Sequence, residues 1–383
     1  MNRVYWRAIR EKGAGNVYTE LPKDEAVTLA LQELFEHSGY VRYRMSSFES
    51  YDYYLANKSF LKGEGLVTFN DAFGRLLALK PDVTMSIVKN TKPETVSQKL
   101  YYVESVFRAR REGGEVREIR QMGVESIGTI DAYAEAEVAV LAAKSLAAVG
   151  GETVLSIGDA SFVAGLYDAL GLSDAVRAKA NEALGAKSAE TLRALAENGA
   201  GEALAQLAAL CGKPDVTLER ARALCRSRQM EDAVARIQGV CEALAAVCPD
   251  ANVRVDFSLE SDMDYYNGLV LQGFVRGVPQ AVLTGGRYDP LMRKCEKPQS
   301  AVGFALVLDG LSRAFPKKRE FDADVLLLYA PDTPPAAVAR AAENLAAEGV
   351  VRAETRVPPG FRAGRTVTVL ADGTITETEG SPC

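Results

Sequence analysis

The chain has 383 residues, 48% of them hydrophobic and 25% charged, with a formal net charge of −6. That is the balance of an ordinary globular protein, long enough for one large domain and one or two small ones. An acidic balance argues against a general electrostatic grip on nucleic acid. No apolar run approaches the ~20 residues of a membrane span. The N-terminus, with Arg3, Arg7, Arg10 and Glu11, lacks the apolar region of a signal peptide, so a cytoplasmic protein is expected. The six cysteines include no CxxC pair. Cys241 and Cys248, seven apart in a helical pattern, read as core residues, and neither a metal site nor a disulfide framework is expected. The single histidine, His37, precedes Ser38-Gly39 at the end of a helical pattern and reads as a helix-terminal cation rather than a catalytic base.

In chain order, Lys23 to His37 predicts a helix, with Ala26, Leu29, Ala30, Leu34 and Phe35 on one stripe and Gly39 as its stop. A strand-rich stretch follows from Tyr40 to Leu79. Leu100 to Arg110 and Val116 to Ile127 predict two antiparallel strands with Gly113-Gly114 in the turn. Asp131 caps a predicted helix that Gly150-Gly151 ends. Thr153 to Ile157 predicts a strand, and Asp159 a further cap. From about Leu166 to Val247 the chain is rich in Ala and Leu with helical periods, which predicts a helical insertion. Strand patterns return at Asn252 to Leu259, Tyr265 to Val275, Gln280 to Leu283 and Ala301 to Leu308. The strands on the two sides of the helical block must share one sheet, since neither half alone makes a large core. After a charged linker at Pro316 to Asp322, the tail predicts a small α/β unit: a strand at Val325 to Tyr329, a helix at Pro334 to Ala347, and a hairpin around Asp372-Gly373.

Three clusters carry chemistry. In Leu79-Lys80-Pro81-Asp82-Val83-Thr84, an extended reading puts Asp82 and Thr84 on one side, an acid and a hydroxyl suited to an ammonium group. The same residues also read as a helix start with Pro81 in the first turn or Asp82 as cap. In the second cluster, Phe107-Arg108 leads across a turn to Arg120-Gln121-Met122-Gly123-Val124-Glu125. One face of that hairpin can carry Arg108 for a carboxylate or phosphate, with Gln121 and Glu125 for an amine or imidazole. A solvated charged hairpin is the plainer reading. In the third, Asp264-Tyr265-Tyr266-Asn267-Gly268 and Gly285-Gly286-Arg287-Tyr288-Asp289 can wall a pocket for an aromatic ligand, with glycines that permit close approach. A buried tyrosine and a bulge explain the same letters. No Walker A loop and no GxGxxG opening a helix is present.

Taken together and in this order, the clusters resemble class II histidyl-tRNA synthetases. Lys80 to Thr84 is similar to the family's Arg-Pro-Glu-x-Thr segment, Phe107 to Gln121 to motif 2, and Asp264-Tyr265-Tyr266 with Gly285 to Asp289 to the histidine-specific segment. Gly303-Phe304-Ala305 opens a motif 3-like strand and helix. The resemblance covers about residues 15 to 315. It implies an α+β fold, a class II aminoacyl-tRNA synthetase-like antiparallel sheet of six strands flanked by helices, with the helical insertion and the small C-terminal α/β unit. It implies a histidine pocket in which Asp82, Thr84 and Gln121 hold the α-amino group. Glu125 and Tyr266 meet the imidazole, Arg108 meets a carboxylate or phosphate, and Asp264 and Tyr265 complete the wall.

The catalytic side departs from the pattern. Ser261 stands where the family has an arginine, Asp309-Gly310 replaces the Glu-Arg that ends motif 3, and Glu115 stands at motif 2's second arginine. One preorganised donor is worth ~10²–10³ in rate, so these losses predict no adenylation unless Arg110, Arg111 or Arg287 substitutes. The tail, with about 60 residues after Asp322, is short for an anticodon-binding domain. Synthetase-like chains with these losses resemble the regulatory subunits of ATP phosphoribosyltransferase. That resemblance implies a non-catalytic chain without cofactor or metal, a homodimer within a hetero-oligomer with the short-form catalytic subunit, and L-histidine as feedback ligand. Neither tRNA nor membrane is expected as a partner. The expected domains are 1–165 and 249–316 for the two parts of the synthetase-like core, 166–248 for the insertion and 323–383 for the C-terminal unit. An active histidyl-tRNA synthetase and a free-standing amino-acid-binding paralogue are the alternatives.

Overall fold

The computed structural model describes residues 21–57, 65–109, 115–196, 199–259, 265–316 and 320–377. Helix α1, Lys23–His37, buries Val27, Thr28, Leu31 and Phe35, and Gly39 leaves it at φ 82°. His37 is its exposed last residue. The stretch expected as strands up to Leu79 is broken by a helix. It holds β1 (Val41–Arg42), β2 (Phe48–Ser50), helix α2 (Tyr51–Ala56), β3 (Thr68–Asn70) and β4 (Leu76–Leu79). Tyr54 explains the helix: its fully buried ring packs with Ala78 and Met85, and helical spacing also brings Tyr51 and Tyr53 to that cluster. After helix α3, Thr84–Asn90, come the two long strands β5 (Ser97–Ala109) and β6 (Val116–Gly128). The expected Gly113-Gly114 turn lies outside the described residues.

Helix α4, Ala132–Val149, starts at Asp131, whose side chain accepts from the Ala134 N–H, and Gly150 at φ 78° ends it. Asp131→Ala is expected to destabilise the fold by ~1 kcal/mol in urea unfolding, the usual worth of such a cap. Strand β7 (Thr153–Asp159) runs into helix α5 (Ala160–Ala169), which Asp159 caps through the Ser161 N–H. Helix α5 crosses position 165, so the domain boundary placed there cuts through a helix. The insertion that follows holds α6 (Asp174–Gly185), α7 (Ala189–Ala194), α8 (Ala200–Ala208), the two-residue strand β8 (Cys211–Gly212), α9 (Pro214–Leu224) and α10 (Arg228–Val247). Cys241 is half-buried rather than core, and Cys248 falls just past the end of α10.

The chain then returns through β9 (Val253–Asp256), β10 (Leu269–Val275), β11 (Leu283–Arg287), helix α11 (Asp289–Lys294), β12 (Ser300–Val307) and helix α12 (Leu311–Ala314). Strand β11 begins where the predicted Gln280–Leu283 strand was to end. Its Gly285 and Gly286 hide a strand from any propensity reading, because they occur there for close approach and not for side-chain packing.

Strands β2, β4 and β3 form a small sheet of their own, but the other strands on the two sides of the insertion join one sheet, with the insertion's β8 at its edge, in the order β1-β5-β6-β12-β11-β10-β7-β9-β8. Its six central strands, β5 to β7 in that order, pair antiparallel throughout. Side chains alternate across the sheet. On one face Tyr101 and Phe304 both pack on Phe35 of α1, and α4 lies against β7, β10 and β12. Helix α10 packs behind, on α4 and α5. The opposite face, with Tyr102, Gln121, Glu125, Gly303 and Val270, opens on a cavity.

One compact unit runs Val27–Ala314. The described residues up to Ala26 and from Phe315 onward belong to a second. The second unit has a four-stranded sheet in the order β14-β13-β15-β16. Its elements are β13 (Ala323–Tyr329), helix α13 (Pro335–Leu345), β14 (Val351–Glu354), β15 (Ala363–Val369) and β16 (Ile375–Glu377). Its core is Val325, Leu327, Ala341, Leu345, Val367 and Val369. The turn before β16 has Gly373 at φ 87° and the Thr374 N–H on the Asp372 carboxylate.

Candidate functional site

Alternation along β6 places Arg117, Ile119, Gln121 and Glu125 on the cavity face, and β5 adds Tyr102 and Arg108. The space is about 930 Å³. From Arg117 to Glu125 the strand spans about 27 Å, so the cavity has two distinct ends.

At the Glu125 end the sheet is stripped of side chains. Gly303 is the register partner of Glu125, and a Cβ there would collide with Glu125 Oε2 and the Val124 carbonyl. Tyr102 lies over Gly123, where a Cβ would sit 2.6 Å from its hydroxyl. Glu125, 2% exposed, therefore lies in a slot only glycines permit. Thr84 donates to its Oε1 at 2.7 Å and Tyr288 to its Oε2 at 2.6 Å. The Tyr265 ring contacts both Tyr266 and Tyr288, at centroid distances of 4.7 and 6.0 Å. Burial pushes the Glu125 carboxyl up to about 8, with nearby Asp82 adding to the shift and the two hydroxyl donors opposing it. Burial likewise raises Asp82, against the Met85 N–H and the Arg108 guanidinium. Two acids side by side, with burial outweighing the Arg108 guanidinium, favour a protonated or cationic guest.

The other end is lined by Arg117, Glu118, Val307, Asp309, Gly310 and Arg313. Asp309 is turned onto the backbone, where its carboxylate accepts the Arg120 N–H at 2.9 Å. Gly310 sits at φ 83°. Glu115 is exposed and lies 3.5 Å from Arg117.

Of the residues singled out in the sequence, Asp82, Thr84, Arg108, Gln121, Glu125, Tyr265 and Tyr266 all line this one cavity. Asp264 lies outside the described residues, as do Ser261, Arg110 and Arg111. Asp82 and Thr84 do so from a helix start, not from a strand. Asp82 accepts the Met85 N–H at 2.8 Å and Thr84 is the first residue of α3, so one carboxylate both caps the helix and faces the cavity. Arg108 Nε donates to the Pro81 carbonyl at 3.0 Å, which ties the hairpin to that turn. Arg287 cannot stand in for a lost catalytic cation. It is absent from the cavity lining and is held at 2.9 Å by Asp289 and at 3.2 Å by Glu135. Sequence reasoning quoted Tyr288 but gave it no role, because its acceptor is 163 residues away. Arg117, inside the motif 2-like segment, likewise received no role, and Arg313 is marked by no motif.

A family profile for histidyl-tRNA synthetase matches residues 19–311. An ATP phosphoribosyltransferase regulatory subunit from Anaeromyxobacter dehalogenans is 33% identical over 299 residues, 74% of this chain and 84% of that protein. The chain belongs to this histidyl-tRNA synthetase-like family of regulatory subunits. Within the same family, the regulatory subunit of Clostridium kluyveri is 28% identical over 85% of this chain and 87% of its own length. A crystal structure of an ATP phosphoribosyltransferase regulatory subunit/histidyl-tRNA synthetase from Bacillus halodurans superimposes with a TM-score of 0.73 at 25% identity. It covers 87% of this chain and 88% of that one. The antiparallel sheet and the glycine-floored cavity are thus set in a class II synthetase fold that regulatory subunits share.

Proposed function

We propose that this chain is the non-catalytic regulatory subunit of an ATP phosphoribosyltransferase in histidine biosynthesis. It binds free L-histidine in the cavity, activates a short catalytic chain and relays feedback inhibition to it, as a homodimer within a cytoplasmic hetero-oligomer. The observation that carries this reading is the contrast between the two ends of the cavity. The Glu125 end is built for a small cationic or protonated guest: a buried carboxyl gripped by Thr84 and Tyr288, Asp82 beside it, and tyrosines 102, 265 and 266 around it. L-histidine fits that chemistry, with its ammonium toward Asp82, Thr84 and Gln121, its imidazole toward Glu125 and Tyr266, and its carboxylate toward Arg108. At the other end an anion, Asp309, and a side-chain-free Gly310 occupy positions where transition-state charge needs cations.

The test is to mix the chain with a short-form ATP phosphoribosyltransferase from the same source and follow phosphoribosyl-ATP while titrating histidine. Activation that histidine reverses is expected. No activation of a folded partner would remove the reading. Arg117 and Arg313 at the far end favour a second reading, an active histidyl-tRNA synthetase. It requires histidine-dependent ATP–pyrophosphate exchange, and we expect exchange at background, since two arginines without the motif 3 and histidine-segment cations leave the phosphates undercompensated.

A further inference from the structure

Behind the sheet, five charged side chains alternate in sign from the insertion to the pocket wall. Arg236, midway along α10, pairs with Asp159 and, at 3.3 Å, with Glu135. Glu135, on α4 and only 2% exposed, also takes Arg287 at 3.2 Å. Arg287 reaches Asp289 at 2.9 Å, and Asp289 in turn accepts the Asn267 amide at 3.1 Å and the Ala301 N–H at 3.1 Å.

The far end of this chain of charges is anchored to the pocket. Tyr288, which grips Glu125, stands between Arg287 and Asp289, so both its neighbours are pinned. Its backbone, at φ −127° and ψ 46°, is not that of a regular strand, so the strand ladder alone does not aim its side chain. The other wall depends on the same residue. The Arg287 carbonyl accepts the Asn267 N–H at 3.1 Å, and the Arg287 stem fills the space beside Gly268, 3.1 Å from where a Cβ would be. The ring of Tyr266 lies on Gly286, the residue before Arg287. Neither Arg236 nor Glu135 lines the cavity.

We infer that Arg236 is a positioning residue for the ligand pocket: acting through the shared carboxylate of Glu135, it fixes Arg287, and with it the hydroxyl of Tyr288 and the ring of Tyr266. The helical insertion is thereby a determinant of how tightly the pocket holds its ligand. Glu135 is the joint. Buried between two guanidinium groups, it is compensated only while both are present, and removal of Arg236 leaves its second oxygen without its cation. Arg287 is then drawn toward Glu135, away from the geometry that Asp289 and Tyr288 require.

This inference rests on histidine as the ligand, and the experiment separates the two. Histidine binding to the full chain is measured by calorimetry for the wild type, Arg236→Met, Arg236→Lys, Tyr288→Phe and the Arg236→Met/Tyr288→Phe double variant, with urea unfolding of each. Arg236→Met is expected to weaken histidine roughly tenfold, the scale of a coupled pair. Arg236→Lys is expected to restore part of the loss, because it returns a charge to Glu135. The double variant is expected to lose less than the two single losses combined, since part of the arginine's effect runs through that hydroxyl. Wild-type affinity in Arg236→Met, or additive losses in the double variant, would overturn the inference and leave a purely structural ion pair. If the wild type binds no histidine, the proposed function falls, and the relay is judged on the unfolding cycle. Non-additive stabilities there sustain it, and additive ones remove it.

Discussion

Histidine affinity is expected to be flat between about pH 6.5 and about 8 and to fall roughly tenfold per pH unit on either side, as the ordinary imidazole value and the raised Glu125 carboxyl dictate. The bound pair needs one proton between imidazole and Glu125. In the plateau the empty pocket already holds it on Glu125, and the free ligand is neutral, so binding neither takes up nor releases a proton. Above the plateau a proton must be taken up. Below it the ligand arrives as imidazolium and one must be expelled. Glu125→Gln keeps the shape but not the charge, and is expected to bind ~10²-fold more weakly, the loss of a charge-assisted hydrogen bond, with no fall above the plateau. Its stability moves the other way. A carboxyl raised by burial holds its proton in the folded state after the unfolded chain has lost it. The wild type therefore loses stability as pH rises from the usual carboxylate range through about 8. Glu125→Gln has no such slope, and above pH 8 it is expected to be the more stable protein by on the order of 4 kcal/mol in urea unfolding without ligand. Equal pH slopes for the two proteins would show that Glu125 is not a buried acid.

Gly303→Ala is expected to abolish histidine binding and to cost ~3 kcal/mol or more of stability. The added methyl would occupy space held by Glu125 Oε2 and by the Val124 carbonyl. The carboxylate can swing away, but only by leaving Thr84 and Tyr288. The carbonyl cannot, because it belongs to the ladder between β6 and β12. A crystal structure of the variant with Glu125 in place, or calorimetry with wild-type affinity, would show that the slot is wider than the register implies.

Much of this was legible in the letters. The long β5–β6 hairpin, the Asp131 and Asp159 caps and the Gly150 stop are local signals, and local signals survive folding. Arg108, Gln121 and Glu125 share a face because alternation along a strand is a fixed geometric rule. The turn at Pro81 was ambiguous, since proline suits both an extended approach and a helix start, and only the Met85 N–H on Asp82 decides it. Strand β11 is displaced in the sequence because Gly285 is there for Phe304 on β12 and Gly286 for the Leu269 carbonyl and the Tyr266 ring, which a single strand cannot announce. Strand β14, Val351–Glu354, was missed for a related reason. It is short and half charged, and it is a strand because β13 offers it a parallel partner. Arg287 was offered as a cation for the pocket, but a sequence does not say on which side of a sheet an unpatterned strand end points.

The left-handed backbone at Gly310 has a consequence for the history of this cavity. Restoring the arginine of the synthetase motif there is a single codon change, yet it would force a residue with a Cβ into φ 83°, at a cost of roughly 1–2 kcal/mol before any phosphate is touched. Asp309 meanwhile accepts the Arg120 N–H, and moving it would give up that hydrogen bond. Each replacement makes the reversal of the other unprofitable. On the proposed regulatory reading, the nucleotide end then behaves as a ratchet: with the backbone settled in this turn, selection for a sensing role alone would suffice to keep the chain from drifting back to catalysis.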